Sequence, residues 1–533
     1  MSYELSRSLF ANMKFLRFSF ELHDLFGLCL ALLAAGIINY YYKYYTRENP
    51  LPAPFPLPFV GHLFDHLIAG KDYYEYCCTI HSKYGHIFEQ WHGRKRIIFV
   101  TKPEYLDILF SSSTKSKYLI RVHDPEGLKD LGIYGTGLLL NHDIDNWRFN
   151  RQFFTQAVQT TDFLREAVGC TQAAFNEMNE YSKLTLGNDV IIDFSKLSRT
   201  ITTDVIFQMI TGKKLWTTAS YFSTISSKSK LIKLQKFDEE NMKKSSKISR
   251  AFETFLSGIF FFIVFPKWIR KYLPNFRVEQ NNILQARDYL FKDLKDIIQE
   301  RRKEIEDTPK DERLKYNMLT LLITANTDRS ISDVKDKNNE YTEPLTDKEI
   351  RGIILEALGG GIDTSASTFN FAIYYISRYP DVKSRLCKEI DDLYTQCQNK
   401  PITFEELSCL TYCDAVIKEV SRIANIVPFL SRISSESDII ENTRQDAGTN
   451  YIIFTPGVHL SEDYWKDPKK FDVDRFIDTD GQSQQKKHNL LAWGGGLKQC
   501  PGRKLVMIEL KCLLVLAFRN WDIELVNPSS SLE

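Results

Sequence analysis

Several short runs carry residues whose types and spacing suit chemistry. Near the carboxy end, Trp493-Gly494-Gly495-Gly496-Leu497-Lys498-Gln499-Cys500-Pro501-Gly502-Arg503 delivers one cysteine just before the apolar run LVMIELKCLLVLAF, residues 505–518. Glycines let a backbone pass close to a flat ligand. A thiolate at a helix N-terminus is favoured by the positive end of the dipole and by free N–H groups. Those features suit an axial thiolate on iron. A phosphate loop competes on glycine content, but its pattern needs Gly-Lys-Ser/Thr after four residues, and Lys498 stands elsewhere.

A second run, Gly359-Gly360-Gly361-Ile362-Asp363-Thr364-Ser365, sits inside a helical pattern. Each internal glycine costs a helix roughly 1 kcal/mol against alanine. A helix accepts that where a ligand approaches or where its ladder must open. Asp363 beside Thr364 then forms an acid–hydroxyl pair able to relay protons to a bound oxygen species. Close helix packing beside a surface aspartate is the plainer alternative. Glu419 and Arg422 share a helix face at i, i+3, although an exposed pair of that kind contributes little. Arg475, in Phe471-Asp472-Val473-Asp474-Arg475-Phe476, offers another guanidinium. Trp147 and Arg151 share a face at i, i+4, and an arginine fork suits a carboxylate.

These residues need elements to hold them, and the periodicity beyond residue 60 is mainly helical. A strand is expected at 94–101 and helices near 103–111, 147–159, 160–181, 193–211 and 278–305. Residues 306–342 read as a polar surface connection. Thr346-x-x-Glu349 is a capping box. Ile350, Ile353, Ile354, Ala357, Leu358 and Gly361 then trace one helix face. Thr403-x-x-Glu406 opens another helix, reaching about Ala424; residues 451–454 read as a strand, followed by loop up to 490. Phe255–Phe265 is too short to span a bilayer. It is either a buried helix or a membrane-dipping segment.

The chain has 533 residues, 43% hydrophobic and 26% charged, and the 69 cations and 68 anions nearly cancel. That composition excludes a disordered chain and a globally basic nucleic-acid binder. Ten cysteines with no Cys-x-x-Cys pair exclude a disulfide scaffold and a cysteine-paired zinc site. Residues 25–42 form an uncharged run of 18, close to the roughly 20 needed to cross a bilayer. Tyr40, Tyr41 and Tyr42, then Lys43 and Arg47, suit a membrane interface. Arg7, Lys14 and Arg17 precede the run, so the flanking positive charge is nearly balanced. Pro50, Pro52, Pro54, Pro56 and Pro58 make a stiff extended segment; an SH3-type ligand is its alternative.

The order of these features resembles the microsomal cytochrome P-450 family along essentially the whole chain. The resemblance implies a mainly α fold with a minor β region, preceded by one transmembrane helix. It implies a membrane region at 1–48 and a haem-binding catalytic domain at 49–533, with a proline hinge at 50–58. Cys500 is then the proximal ligand of a haem b iron, and Asp363 and Thr364 the oxygen-activating pair. Glu419, Arg422 and Arg475 form a structural network behind the haem. Trp147, Arg151, Arg432, Trp493 and Lys498 belong to the haem pocket. Residues 120–140 and 255–265 fall where the family has substrate-contacting or membrane-facing loops. Three departures stand out. Lys498 replaces the usual arginine or histidine and so lacks a fork. Trp493 replaces phenylalanine. Residues 433–458 lack the family's G-x-x-I-P-K-G turn.

The activity implied is a monooxygenase that inserts one atom of O2 into a lipophilic small molecule, such as a sterol, fatty acid or terpenoid. Its electrons would come from NADPH through a flavoprotein reductase. Its place would be the endoplasmic reticulum membrane with the catalytic body facing the cytoplasm, and no nucleic acid is involved. Two alternatives remain at this level: a reductase-independent isomerase or dehydratase acting on a peroxide, and a membrane-tethered haem-binding protein without turnover.

Overall fold

The computed structural model describes residues 22–93, 95–121, 125–185, 191–225, 239–331, 343–398, 400–440, 443–477 and 489–528. The sequence readings at Arg7, Lys14, Arg17, Arg94, 332–342 and 441–442 lie outside them. The chain divides into two compact units, Met1–Phe99 and Val100–Glu533.

In the first unit the helix Leu22–Tyr45 contains a stretch, Leu25–Tyr45, long and apolar enough to cross a membrane. It runs past the expected end at residue 42 because its last turn packs on protein. Tyr40 and Tyr44 are buried. Tyr44 meets Trp91 edge-on at 5.8 Å, and Tyr41 stacks on Phe55 at 5.2 Å. Arg47 and Arg96 both pair with the buried Glu89, at 2.6 and 2.7 Å. Strands Ile87–His92 and Lys95–Val100 are neighbours in a sheet; the first of them carried no clear signal in the sequence.

The second unit is built around the helix Asp347–Arg378, here called the central helix. Thr346 caps it: its hydroxyl accepts from Glu349 N–H while the Glu349 carboxylate accepts from Thr346 N–H. Of the expected apolar face, Ile350, Ile353, Ile354 and Leu358 are buried and Ala357 and Gly361 half-buried. That face packs against the helix Phe194–Thr211. The carboxy-terminal helix Arg503–Asn520 is largely buried and packs on the central helix and on Thr161–Thr185. Thr411–Ala424 packs on the central helix as well.

Local structure corrects several expectations. Residues 306–342 are not all surface connection. Met318–Thr324 is a helix with every residue buried: five side chains are apolar, and the hydroxyls of Thr320 and Thr324 donate to Asn317 Oδ1 and Thr320 O. The atypical 433–458 region still makes strands. Phe429–Ile433 pairs antiparallel with Asn450–Phe454, Arg432 opposite Tyr451, and Asp438–Ile440 pairs with Thr443–Gln445. The stretch expected to be loop to 490 holds a short helix, Pro456–His459, and a 3-10 turn, Val473–Phe476. The 255–265 run ends the long helix Glu239–Val264 and is split by face. Phe255 and Phe262 are buried, whereas Phe260 is 74% exposed.

The reciprocal cap predicts that Thr346→Ala lowers stability by about 1 kcal/mol. A lower urea midpoint with an unchanged slope is the expected result.

Candidate active site

A cavity of about 440 Å³ lies in the second unit between the central helix and the loop that ends in Cys500. Its walls include Cys500, Trp493, Lys498, Arg121, Arg151, Arg432, Thr364 and the glycines 359–361. Residues far apart in sequence thus converge on one apolar space.

The cysteine loop is shaped by its own backbone and held by arginines. Cys500 N–H donates to Trp493 O at 2.9 Å, and Gln499 N–H to Gly496 O at 3.0 Å. Gly496 has φ +63°, and a side chain there would strike the carbonyl of Phe110, so only glycine fits. Arg121 donates to Lys498 O at 2.8 Å, Arg151 to Gln499 O, and Arg432 to Gly495 O at 3.4 Å. Cys500 precedes the carboxy-terminal helix, whose first turn begins at Arg503. Burial pushes its thiol up, while Gly502 N–H and the charges of Arg151 and Arg121 pull it down.

Four cations therefore face one cavity. Lys498 is buried, its Nζ has no hydrogen-bond partner, and it sits 3.6 Å from the centroid of the Trp147 ring. Burial, with Arg121 and Arg432 nearby, pushes it down to about 6. Arg121 is pushed down to about 10 by burial and by Arg151, and Arg432 is lowered by burial and by Arg121. Basic groups that repel one another in an apolar cavity call for anions. The two carboxylates of a haem would answer that charge, and the Cys500 thiolate would hold its iron. Among the described residues no three His, Cys, Asp or Glu side chains converge as an all-protein metal site. A single cysteine among basic side chains fits a group that carries its own metal and its own carboxylates.

The acid–hydroxyl pair is placed differently on its two members. Thr364 lines the cavity, its hydroxyl donating to Gly360 O at 2.6 Å across the glycine turn. Asp363 is not among the lining residues. Its side chain is 47% exposed and pairs with Arg199 Nε at 2.8 Å, and Arg199 also pairs with Glu253.

Glu419 and Arg422 form a wholly buried two-pronged pair at 2.7 Å. Arg422 also donates to His459 O at 2.6 Å, Pro468 O at 2.7 Å and Lys470 O at 3.2 Å. Arg475 Nε lies 3.5 Å from Glu419 Oε1. The network staples residues 459–475 to the helix Thr411–Ala424. His459 carries the staple onward: its Nδ1 meets Asn425 Oδ1 at 2.7 Å and its Nε2 accepts Leu491 N–H at 2.8 Å, at the root of the cysteine loop. Burial and the Arg422 charge push His459 down to about 3, so it stays neutral.

Two charged lining residues, Arg121 and Glu356, were not singled out by the sequence reading. Arg121 belongs to no spaced motif. Glu356 lies one turn before the glycines, a lone acid beside the apolar stripe; that interruption was its only signal.

Breaking the buried pair leaves one charge uncompensated. Arg422→Ala is expected to destabilise the fold by about 3–5 kcal/mol. Urea unfolding checks this, and proteolysis should cut within residues 459–476 first.

The cytochrome P450 family model matches residues 50–532. Cytochrome P450 4d2 of Drosophila melanogaster is 24% identical over 524 residues, 94% of each chain. The similarity to cytochrome P450 4V2 of Rattus norvegicus, 29% identical, covers 186 residues, or 35% of each chain, well under two thirds of that relative's length. A crystal structure titled cytochrome P450DA heme domain superposes with a TM-score of 0.67 at 16% identity, covering 89% of this chain and 91% of that one, which is a likeness of fold. With the family model spanning nearly all of a chain that folds and places its cysteine loop in this way, the chain belongs to the cytochrome P450 family.

Proposed function

We propose that the chain is a haem-thiolate monooxygenase that inserts one atom of O2 into an apolar substrate, with electrons from NADPH delivered by a membrane flavoprotein reductase. The observation that carries this reading is the convergence of Cys500, four cations and Thr364 on one cavity. Haem, when bound, supplies the redox iron at which O2 is activated. Cys500 would hold that iron through its thiolate; Arg121, Arg151, Arg432 and Lys498 would hold the carboxylates.

The chain's own residues suit the remaining tasks. Thr364 presents a hydroxyl to the cavity, where it can hold and pass on a proton. Asp363 meets solvent beside Arg199 and is the neighbouring group through which that proton would be replenished. The acid–hydroxyl pair favours oxygen activation over rearrangement of a peroxide. Leu138, Leu139, Phe154, Ile206 and Met209 line the rest of the cavity and suit a lipophilic substrate. Phe260, Trp268 and Tyr272 stand exposed near one another in sequence and suit a membrane surface from which such a substrate would enter. The helix to Tyr45 supports anchoring, placed here in the endoplasmic reticulum with the body in the cytoplasm. The family match from residue 50 supports a division between membrane region and haem domain near residue 48.

The test is a reduced, carbon monoxide difference spectrum of the purified protein. The long-wavelength Soret band of a thiolate-ligated haem is expected, and Cys500→Ser should abolish it while the fold persists. A short-wavelength band in the wild type would remove Cys500 from its role. Thr364→Ala should keep the band yet divert NADPH consumption from product to hydrogen peroxide, read as a fall in coupling of up to about 10²-fold, the low end of the contribution of one proton-transfer group. Unchanged coupling would count against Thr364.

A further inference from the structure

Glu356 makes a set of contacts that the proposed chemistry does not use. One carboxylate oxygen accepts from the backbone N–H groups of Leu138 and Leu139, and the other accepts from Leu140 at 3.1 Å. Three successive amides thus converge on one carboxylate, a backbone nest filled by the protein's own anion. Gly137 has φ +78°, and a side chain there would strike that carboxylate, so the turn is built around it. Burial raises the Glu356 carboxyl, while the three amides and the Lys498 charge pull it down.

The turn is gripped from its other side as well. Trp147 donates its indole N–H to Leu138 O at 3.0 Å, and Asn141 and Asn150 both reach Gly137 O at 3.3 Å. Two further contacts hold this region on the central helix. Asn146 donates to Glu349 at 2.8 Å, and a side chain on Gly352 would meet Thr136. Leu138 and Leu139 meanwhile form part of the cavity wall. Both oxygens of Glu356 accept from the backbone of this turn, so the carboxylate acts on the wall.

We propose that Glu356 is a specificity-determining positioning residue: by fixing residues 138–140 it sets the shape of the wall against which a substrate must fit. This rests on the monooxygenase reading above.

The test uses the full-length haem-loaded protein and a ladder of 1-alkylimidazoles of rising chain length. These ligate a ferric haem whatever the natural substrate, so the ladder reports cavity shape. Wild type is expected to discriminate at least tenfold between the best and worst chain lengths. Glu356→Gln turns an acceptor into a donor against the three amides. Its discrimination should fall below threefold, with haem content and the carbon monoxide band unchanged. Deuterium exchange in a peptide spanning 136–141 should quicken at least tenfold. Glu356→Asp keeps the charge with a shorter reach and should fall between the two, and it carries the test if the glutamine variant fails to fold. An unchanged ladder, or unchanged exchange at 136–141, overturns the proposal. So does loss of haem from both variants, which would make Glu356 part of the cofactor pocket. A wild type without the carbon monoxide band would instead overturn the monooxygenase reading; the exchange experiment would still decide whether Glu356 holds the turn.

Discussion

Positive charge facing an apolar cavity is costly unless something holds it and something answers it. The second unit is organised around that cost. Arg121, Arg151 and Arg432 spend part of their donors on carbonyls of the cysteine loop, so the same guanidinium groups shape the loop and charge the cavity. Lys498 has no such carbonyl and rests on the face of Trp147. A cation over an aromatic ring keeps part of its stabilisation where water is excluded. Lysine in place of a forked side chain thus leaves the most readily released cation at the centre of the cluster.

Rigidity comes from a second buried charge system that reaches the same loop from behind. The Glu419–Arg422 pair saturates its donors with carbonyls of residues 459–470, and His459 passes the constraint to Leu491. A pair so thoroughly hydrogen-bonded offsets its desolvation. The central helix works differently. Its apolar face fixes it against Phe194–Thr211, while Gly360 leaves open space beside the helix at the cavity. Thr364 can bond the carbonyl of Gly360 there without the helix losing its packing.

Much of this was legible because local sequence carried it. Cys500 announces itself by glycines before and an apolar helix after. The Thr346 cap and the stripe from Ile350 need only i, i+3, i+4 arithmetic. What stayed hidden depends on distant partners. Arg121 meets the cysteine loop across 377 positions, and no spacing encodes that. Glu356 becomes meaningful only when residues 138–140 arrive. The solvent-facing pairing of Asp363 follows from Arg199 on another helix. The helix Met318–Thr324 was missed because its polar flanks outweighed seven apolar and hydroxyl residues, all buried from every side.

The amino-terminal helix has a property that its hydropathy conceals. Its last turns belong to the fold: Tyr40 and Tyr44 pack near Phe59 and Trp91, and Arg47 helps to neutralise Glu89. The packed part of the helix therefore begins at Tyr40, well before its end. Trimming the chain at Tyr45 to gain solubility would exchange an apolar helix for an apolar patch around Trp91. A cut made a turn before Tyr40 would remove the greasy segment and leave the aromatic collar closed.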